Sequence, residues 1–282
     1  MRVNGVGFSY SSVPVLDDIW LDLDGPQLVS VLGPNGVGKS TLINCMCKIL
    51  SPSRGAILVG GRDVAGIPPK EMAKIMGYVP YSSGSSFPMN VVDAVLMGRH
   101  PYSKWKTDDE DIRKVYDALC RLEIEHLAMR QFNELSAGQH QKVVLARGLV
   151  QEPEILLLDE PTSNLDIRHQ MDVTKLLRSL SREKNMLTVM ISHDINIAAK
   201  YSDNIILMYR GGIYAAGSPW DVITEENIGR VYGVDCTIID SGGRPHVILN
   251  HSVKYSEDDW KSDLSEETMP RLSPADDGVS DD

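Results

Sequence analysis

Apolar positions in this chain cluster in short runs, and the spacing of those runs changes twice along its length. Leu28-Val29-Ser30-Val31-Leu32, Ile155-Leu156-Leu157-Leu158 and Val189-Met190-Ile191-Ser192 are short, almost wholly apolar and partly β-branched. They predict strands buried on both faces. Ala56-Ile57-Leu58-Val59 before Gly60-Gly61 predicts a further strand ending in a turn. Residues 82–150 read as helical instead, most clearly at Val91 to Met97 and Asp109 to Leu127, and Ser40 to Leu50 predicts a helix as well. Residues 151–249 return to alternating strands and helices. Their last part, Cys236-Thr237-Ile238-Ile239 and His246-Val247-Ile248-Leu249 around Ser241-Gly242-Gly243-Arg244-Pro245, predicts a β-hairpin. No internal repeat is visible. The expected class is α/β, with an N-terminal β-rich region and a helical insertion.

Composition narrows the possibilities. A chain of 282 residues with 42% hydrophobic content can bury a full α/β core and one appended lobe. The longest uninterrupted apolar run, Ile205 to Tyr209, is far shorter than the ~20 residues of a membrane helix, and Met1-Arg2-Val3-Asn4-Gly5 has no apolar signal region. The expectation is a soluble protein whose membrane role, if any, passes through a separate chain. Four cysteines are too few for a disulfide framework and suggest a reducing compartment. Cys45 and Cys47 lie about 200° apart on a helix and make a poor metal pair. Residues 251–282 hold ten acids and three bases, a net −7 of the chain's −11. Rich in Ser, Asp and Glu, this acidic tail is expected to be disordered. The acidic balance also argues against nucleic acid as a partner.

The chemistry-bearing residues fall at the ends of the predicted strands. Gly33-Pro34-Asn35-Gly36-Val37-Gly38-Lys39-Ser40 fits the G-x-x-x-x-G-K-[ST] phosphate loop at every fixed position, between a strand and a helix. The glycines allow positive φ and close approach to an anion. The helix start that follows, through Thr41, aims N–H groups and its dipole at a phosphate. Lys39 adds charge on the β- and γ-phosphates, and the Ser40 hydroxyl suits Mg²⁺. Asp159 and Glu160 end a second apolar strand, where α/β sheets bind ligands. Asp159 would hold the Mg²⁺ shell, while Glu160 would orient or deprotonate a water. Leu135-Ser136-Ala137-Gly138-Gln139 opens a helix, with Ser136 as N-cap and Gln139 at the third position, a capping box.

These three motifs, in this order, resemble the ATPase subunit of ATP-binding-cassette (ABC) transporters over about Tyr10 to Leu249. The resemblance implies a P-loop NTPase (RecA-like) core with an N-terminal antiparallel β region and an inserted helical subdomain at about 82–150, all within residues 1–250. It implies ATP and Mg²⁺ as ligands and a face-to-face homodimer. In that dimer Ser136, Ala137, Gly138 and Gln139 bind the γ-phosphate of the other subunit's ATP, with Ala137 where the family commonly has Gly. Three further positions match the family. Tyr10 matches the aromatic that stacks on adenine, though a core tyrosine reads equally well. Asp166 in Ser163-Asn164-Leu165-Asp166 matches the loop crossing the dimer interface, and reads equally as a helix N-cap. His193, after an apolar strand, matches the γ-phosphate sensor, a second catalytic residue beside Glu160.

One position departs from the family. Met76-Gly77-Tyr78-Val79-Pro80-Tyr81 ends in Tyr81 where the family carries a Gln, and no Gln lies between Gln27 and Gln131. A phenol is a poor Mg²⁺ ligand, so the departure bears on hydrolysis and coupling more than on binding. Asn90 to Tyr102 and Ile223 to Val234 are similar to importers of metal chelates, meaning iron–siderophore, haem or cobalamin. The resemblance then implies a peripheral subunit on the cytoplasmic face of the membrane. It would be docked on two separate permease subunits and served indirectly by an extracytoplasmic substrate-binding protein. Two alternatives stay open: a soluble ABC ATPase not coupled to transport, and a regulatory subunit with reduced hydrolysis.

Overall fold

The computed structural model describes residues 1–81, 88–102, 108–253 and 270–274. The chain opens with an antiparallel pair, β1 (Arg2–Tyr10) and β2 (Val13–Leu23). Val3, Val6 and Phe8 of β1 and Leu16, Ile19, Leu21 and Leu23 of β2 face inward. Their alternation slips at Asp18, whose φ of 52° coincides with an irregular register, as a bulge requires. β3 (Gln27–Leu32) is buried at every position and runs into the glycine-rich loop and α1 (Lys39–Met46). β4 (Arg54–Val59) and β5 (Arg62–Asp63) extend the first sheet, and α2 (Pro69–Ile75) leads to β6 (Met76–Val79).

The helical lobe holds α3 (Val91–Leu96), α4 (Asp109–Arg121) and α5 (Ala137–Val150). Buried Arg99 fastens it. Its guanidinium donates to Asp111 at 2.7 Å and to the Val150 carbonyl at the end of α5 at 2.9 Å, and it stacks on Tyr102. Beyond the lobe the chain alternates through β7 (Ile155–Leu158), α6 (Ile167–Glu183), β8 (Leu187–Ile191), α7 (Ile195–Tyr201) and β9 (Asn204–Tyr209). It closes with β10 (Gly212–Gly217), α8 (Pro219–Val222), α9 (Glu225–Tyr232), the hairpin β11 (Val234–Asp240) and β12 (Pro245–Ser252), and β13 (Arg271–Leu272).

The core sheet has the order β10-β9-β3-β8-β7-β6. It is parallel except for the edge strand β10. Alternate residues of the same strand feed different cores, as a strand's two-residue period dictates. Val29, Val31, Leu157, Val189 and Ile191 pack with α1 and the antiparallel sheet. Leu28, Leu156, Leu158 and Met190 pack with the helical lobe and α6. The sheet is therefore covered on both faces, and its polar loops gather at the carboxyl ends of the strands.

Three expectations need correction. The helix expected over Ser40 to Leu50 ends at Met46, because Lys48 turns to a φ of 60° and its ammonium bonds the Ala65 and Ile67 carbonyls. The helix expected over Asp109 to Leu127 ends at Arg121. Glu123 at φ 58° breaks it, and a 3₁₀ turn follows at Glu125–Leu127. The acidic tail is not without structure where it is described. β12 runs on through His251 and Ser252, and β13 pairs in parallel with β2. The order of the antiparallel sheet is therefore β13-β2-β1-β4-β5. Leu272 is buried there with 3% exposure, which supplies the apolar anchor that composition alone did not reveal. Residues 254–269 and 275–282, and 82–87 and 103–107 of the helical region, lie outside the described residues.

Candidate active site

The phosphate loop is shaped by its backbone. Gly33 takes φ 144° and Gly38 φ 106°. A β-carbon at Gly33 would run into the Met208 carbonyl of β9, and one at Gly38 would lie 2.8 Å from the Leu16 side chain. Only glycine satisfies both the torsion and the space. No side chain caps α1, so first-turn N–H groups remain for an anion. Lys39 is buried, and its ammonium donates to the carbonyls of Gly33 at 2.7 Å and Pro34 at 2.9 Å. Burial lowers its pKa, opposed by the nearby charges of Glu160 and Asp159.

Asp159 and Glu160 follow β7 and stand beside this loop. The Ser40 hydroxyl donates to Asp159 Oδ1 at 3.0 Å, and the Asp159 N–H donates to the Val79 carbonyl of β6 at 2.8 Å. Burial raises the Asp159 pKa, Glu160 adds to that rise, and Ser40 and Lys39 counter it. Two ligands in neighbouring positions of an octahedral Mg²⁺ at 2.0–2.1 Å would lie about 2.9 Å apart. The Ser40–Asp159 oxygen pair has that spacing.

Glu160 sits in the left-handed region, with φ 50°. A non-glycine residue held there is conformationally costly, and the turn is fastened by Ser163, whose N–H and hydroxyl both donate to the Glu160 carbonyl. Its carboxylate Oε1 lies 2.5 Å from His193 Nε2, a contact between a partly buried acid and a half-exposed imidazole. The pair shares a cleft with Thr162, Ser163, Gln170 and Asp194. Asp159, Glu160, His193, Lys39 and Ser40, from three separate strand ends, are thus brought together.

A second cluster forms elsewhere on the surface. Ser136 caps α5 with a full capping box: Gln139 N–H to Ser136 Oγ at 3.3 Å, and Ser136 N–H to Gln139 Oε1 at 3.1 Å. Gly138 packs against the Asn164 carbonyl and Leu165. Ser136, Gly138, Gln139, Asn164 and Asp166 line one open cleft of about 420 Å³, and no residue of 33–41 lines it. Asp166 caps α6 through the His169 N–H at 2.9 Å and contacts His169 Nδ1 at 2.9 Å. These hydrogen bonds hold its carboxyl below the ordinary range. The N-cap reading of Asp166 is correct, and the residue also faces the cleft.

Tyr10 ends β1, 52% exposed, with its ring edge-on to Phe8 at 4.9 Å. It is not a core tyrosine. Tyr81 is 49% exposed. It lies two residues beyond Val79, which pairs in register with Leu158, so the strand order carries it to the Asp159–Glu160 end of the sheet.

A sequence model of the family described as ABC transporter matches residues 16–163, more than half of the chain. An uncharacterized ABC transporter ATP-binding protein of Methanocaldococcus jannaschii is 46% identical over 248 residues, 88% of this chain and 97% of that protein. The chain belongs to the ABC transporter ATP-binding family. A hemin import ATP-binding protein of Thermobifida fusca is 39% identical over 82% of this chain and 81% of its own. A solved structure described as a metal-chelate type ABC transporter in an inward-facing conformation superposes with a TM-score of 0.76 at 30% identity. That match covers 89% of this chain and 96% of the other. The protein is an ABC ATPase with a P-loop NTPase core.

Several residues of this ABC cassette escaped the sequence reading. Gln170 donates to the carbonyls of Thr162 and Leu165 and so holds the segment between Glu160 and Asp166. Asp194 caps α7 next to His193. Tyr232 at the end of α9 packs against the cluster that contains Leu32, with its phenol near the Gly33 backbone. Burial pushes its phenol up to about 12, so it stays neutral as a brace behind the phosphate loop. Capping of Asp194 was open to sequence reasoning. The Tyr232 contact spans the whole domain and left no local signal.

Proposed function

We propose that this ATPase drives an importer of metal chelates of the haem, iron–siderophore or cobalamin kind. The single observation that carries the hydrolytic part is the Glu160–His193 contact at 2.5 Å, beside the Ser40–Asp159 pair and the Lys39 ammonium. Glu160 accepts the proton of the attacking water, and His193 holds that carboxylate and faces the γ-phosphate. The first-turn N–H groups of α1, from Lys39 to Thr41, and the backbone of Asn35 to Gly38 cradle the β- and γ-phosphates. Ser40 and Asp159 would hold Mg²⁺, which would supply positive charge against the phosphates.

The separation of the two clusters supports a face-to-face homodimer. Each ATP then lies between one subunit's Gly33–Thr41 segment and the other's Ser136–Gln139 helix start. Tyr10 offers the stacking face for adenine. Among the described residues no helix is long and apolar enough to cross a membrane. Relatives named as import or transport ATP-binding proteins support a peripheral place on the cytoplasmic side of two separate permease subunits, with an extracytoplasmic binding protein reached only through them. Support for chelates comes from the hemin import relative and the metal-chelate type structure, together with the Asn90–Tyr102 and Ile223–Val234 stretches.

Reconstitution tests this. The ATPase co-expressed with a permease encoded beside it, in liposomes, should hydrolyse ATP faster when a binding protein loaded with haem, a ferric siderophore or cobalamin is enclosed. Stimulation by a sugar- or amino-acid-loaded binding protein, with none by any chelate, would contradict the cargo class.

A further inference from the structure

The segment at 270–274 is held far more specifically than a trailing polar tail requires, and nothing in the hydrolytic site uses it. Its main chain adds to the edge of β2: the Asp22 N–H donates to the Pro270 carbonyl at 3.0 Å, and the Asp24 N–H to the Leu272 carbonyl at 2.9 Å. Leu272 inserts into the core beneath β1 and β2. Two buried amides then read the chain beyond it. Gln27, with no exposure, donates to the Leu272 carbonyl at 2.8 Å, and Asn204, 7% exposed, donates to the Ser273 carbonyl at 2.6 Å. The two amides are locked to one another, Asn204 Nδ2 donating to Gln27 Oε1 at 2.8 Å. Arg271 turns outward to Asp24 at 3.0 Å, and Pro274 lies over Gly25, where a β-carbon would come within 2.8 Å of its ring.

We infer that the edge of β2, with the Gln27–Asn204 amide pair, is a recognition site for an extended Pro-Arg-Leu-Ser-Pro peptide, and that residues 270–274 of this chain are its resident occupant. Recognition divides as in other strand-addition sites: main-chain bonds supply affinity, and a pocket for one alternate side chain supplies selectivity. Leu272 fills the pocket, and the flanking Arg271 faces solvent. Without a segment in place, two buried amide N–H groups lose a partner, which a folded interior seldom tolerates. The site also joins the two sheets, because β2 belongs to the antiparallel sheet while Gln27 and Asn204 belong to β3 and β9. Occupancy covers an open strand edge, a common route to unwanted pairing between chains.

Hydrogen exchange on the full-length protein tests this, read at the amides of Asp22 and Asp24. In the unaltered chain both should exchange at least ~100-fold more slowly than unstructured amides. Leu272→Asp should release the segment and speed both amides by ~10-fold or more, while ATP binding reports that the variant is folded. A synthetic peptide carrying the sequence of residues 267–277 should then restore protection in the variant. In the unaltered chain the tethered segment competes at an effective concentration on the order of mM, so the same peptide should have no effect at micromolar levels. Leu272→Ala, a milder release, is read in the same way if Leu272→Asp does not fold. Unprotected Asp22 and Asp24 amides in the unaltered chain would overturn the inference. So would unchanged protection in a folded variant, or its failure to be rescued by the peptide.

Discussion

The phosphate loop and the Ser136 helix start both present a helix N-terminus, yet they are built in opposite ways. The loop at 33–40 is backed by β3, β9 and Tyr232, takes backbone torsions that only glycine holds, buries its lysine and leaves α1 uncapped. The start of α5 is exposed and closes its own hydrogen bonds through a capping box. The first is organised for an anion before any anion arrives. The second is a self-satisfied helix end, which in the proposed dimer gains a ligand only when another subunit brings one. In the proposed dimer, affinity for ATP resides in one cluster and the decision to hydrolyse depends on both.

The sharpest way to break this contrast is to damage each side in turn. Lys39→Ala removes a charged hydrogen-bond donor worth about 1.5–3 kcal/mol, so ATP affinity should fall by ~10- to 100-fold in a fluorescence or calorimetric titration. Ser136→Ala should leave monomer affinity within a factor of two and cost about 1 kcal/mol of helix stability. It should also slow turnover by roughly 10-fold through the weakened dimer site. Equal losses of affinity in both variants would erase the distinction.

Most of the loop was legible in the sequence because its chemistry is local: glycines, lysine and serine in a fixed order between an apolar strand and a helix. The strands at Leu28–Leu32 and Ile155–Leu158 were legible for the same reason, since burial on both faces leaves a continuous apolar run. Helix ends were less so. Lys48 and Glu123 adopt positive φ although neither residue type advertises it. Long-range pairings left no trace at all. Tyr232 beneath Gly33 and Leu272 beneath β2 each depend on a partner about two hundred residues away or more, and a single leucine among Ser, Asp and Glu does not change a composition.

Tyr81 sharpens the comparison from a third side, because it stands at the strand ends and yet belongs to no part of the phosphate loop. Tyr81→Gln should leave ATP affinity unchanged and raise the turnover of the isolated ATPase by ~10-fold, the return of one transition-state hydrogen bond of about 1.4 kcal/mol. Equal steady-state rates for the variant and the unaltered protein, both isolated and with permeases present, would show that the position is inert.

The smallest effect is on stability. The Asp159 pKa is raised in the folded protein, chiefly by burial, so the charged carboxylate opposes folding. That penalty is absent below the ordinary carboxylate pKa and complete above the raised one. Asp159→Asn should therefore raise the melting temperature of the nucleotide-free protein by roughly 2–4 °C near pH 7. The gain should shrink as pH falls into the carboxylate range. A lower melting temperature at pH 7 would mean that the Ser40 bond and Lys39 outweigh burial.

The central claim is that Glu160, held at φ 50° against His193, is the base that activates water between two half-sites. Steady-state ATPase measurement on Glu160→Gln tests it most directly, with ATP binding and size-exclusion chromatography on the same sample. An amide cannot take the proton, so turnover should fall by ~10²- to 10⁴-fold while ATP still binds, and an ATP-bound dimer should accumulate. Turnover within a few-fold of the unaltered protein would remove Glu160 from that role.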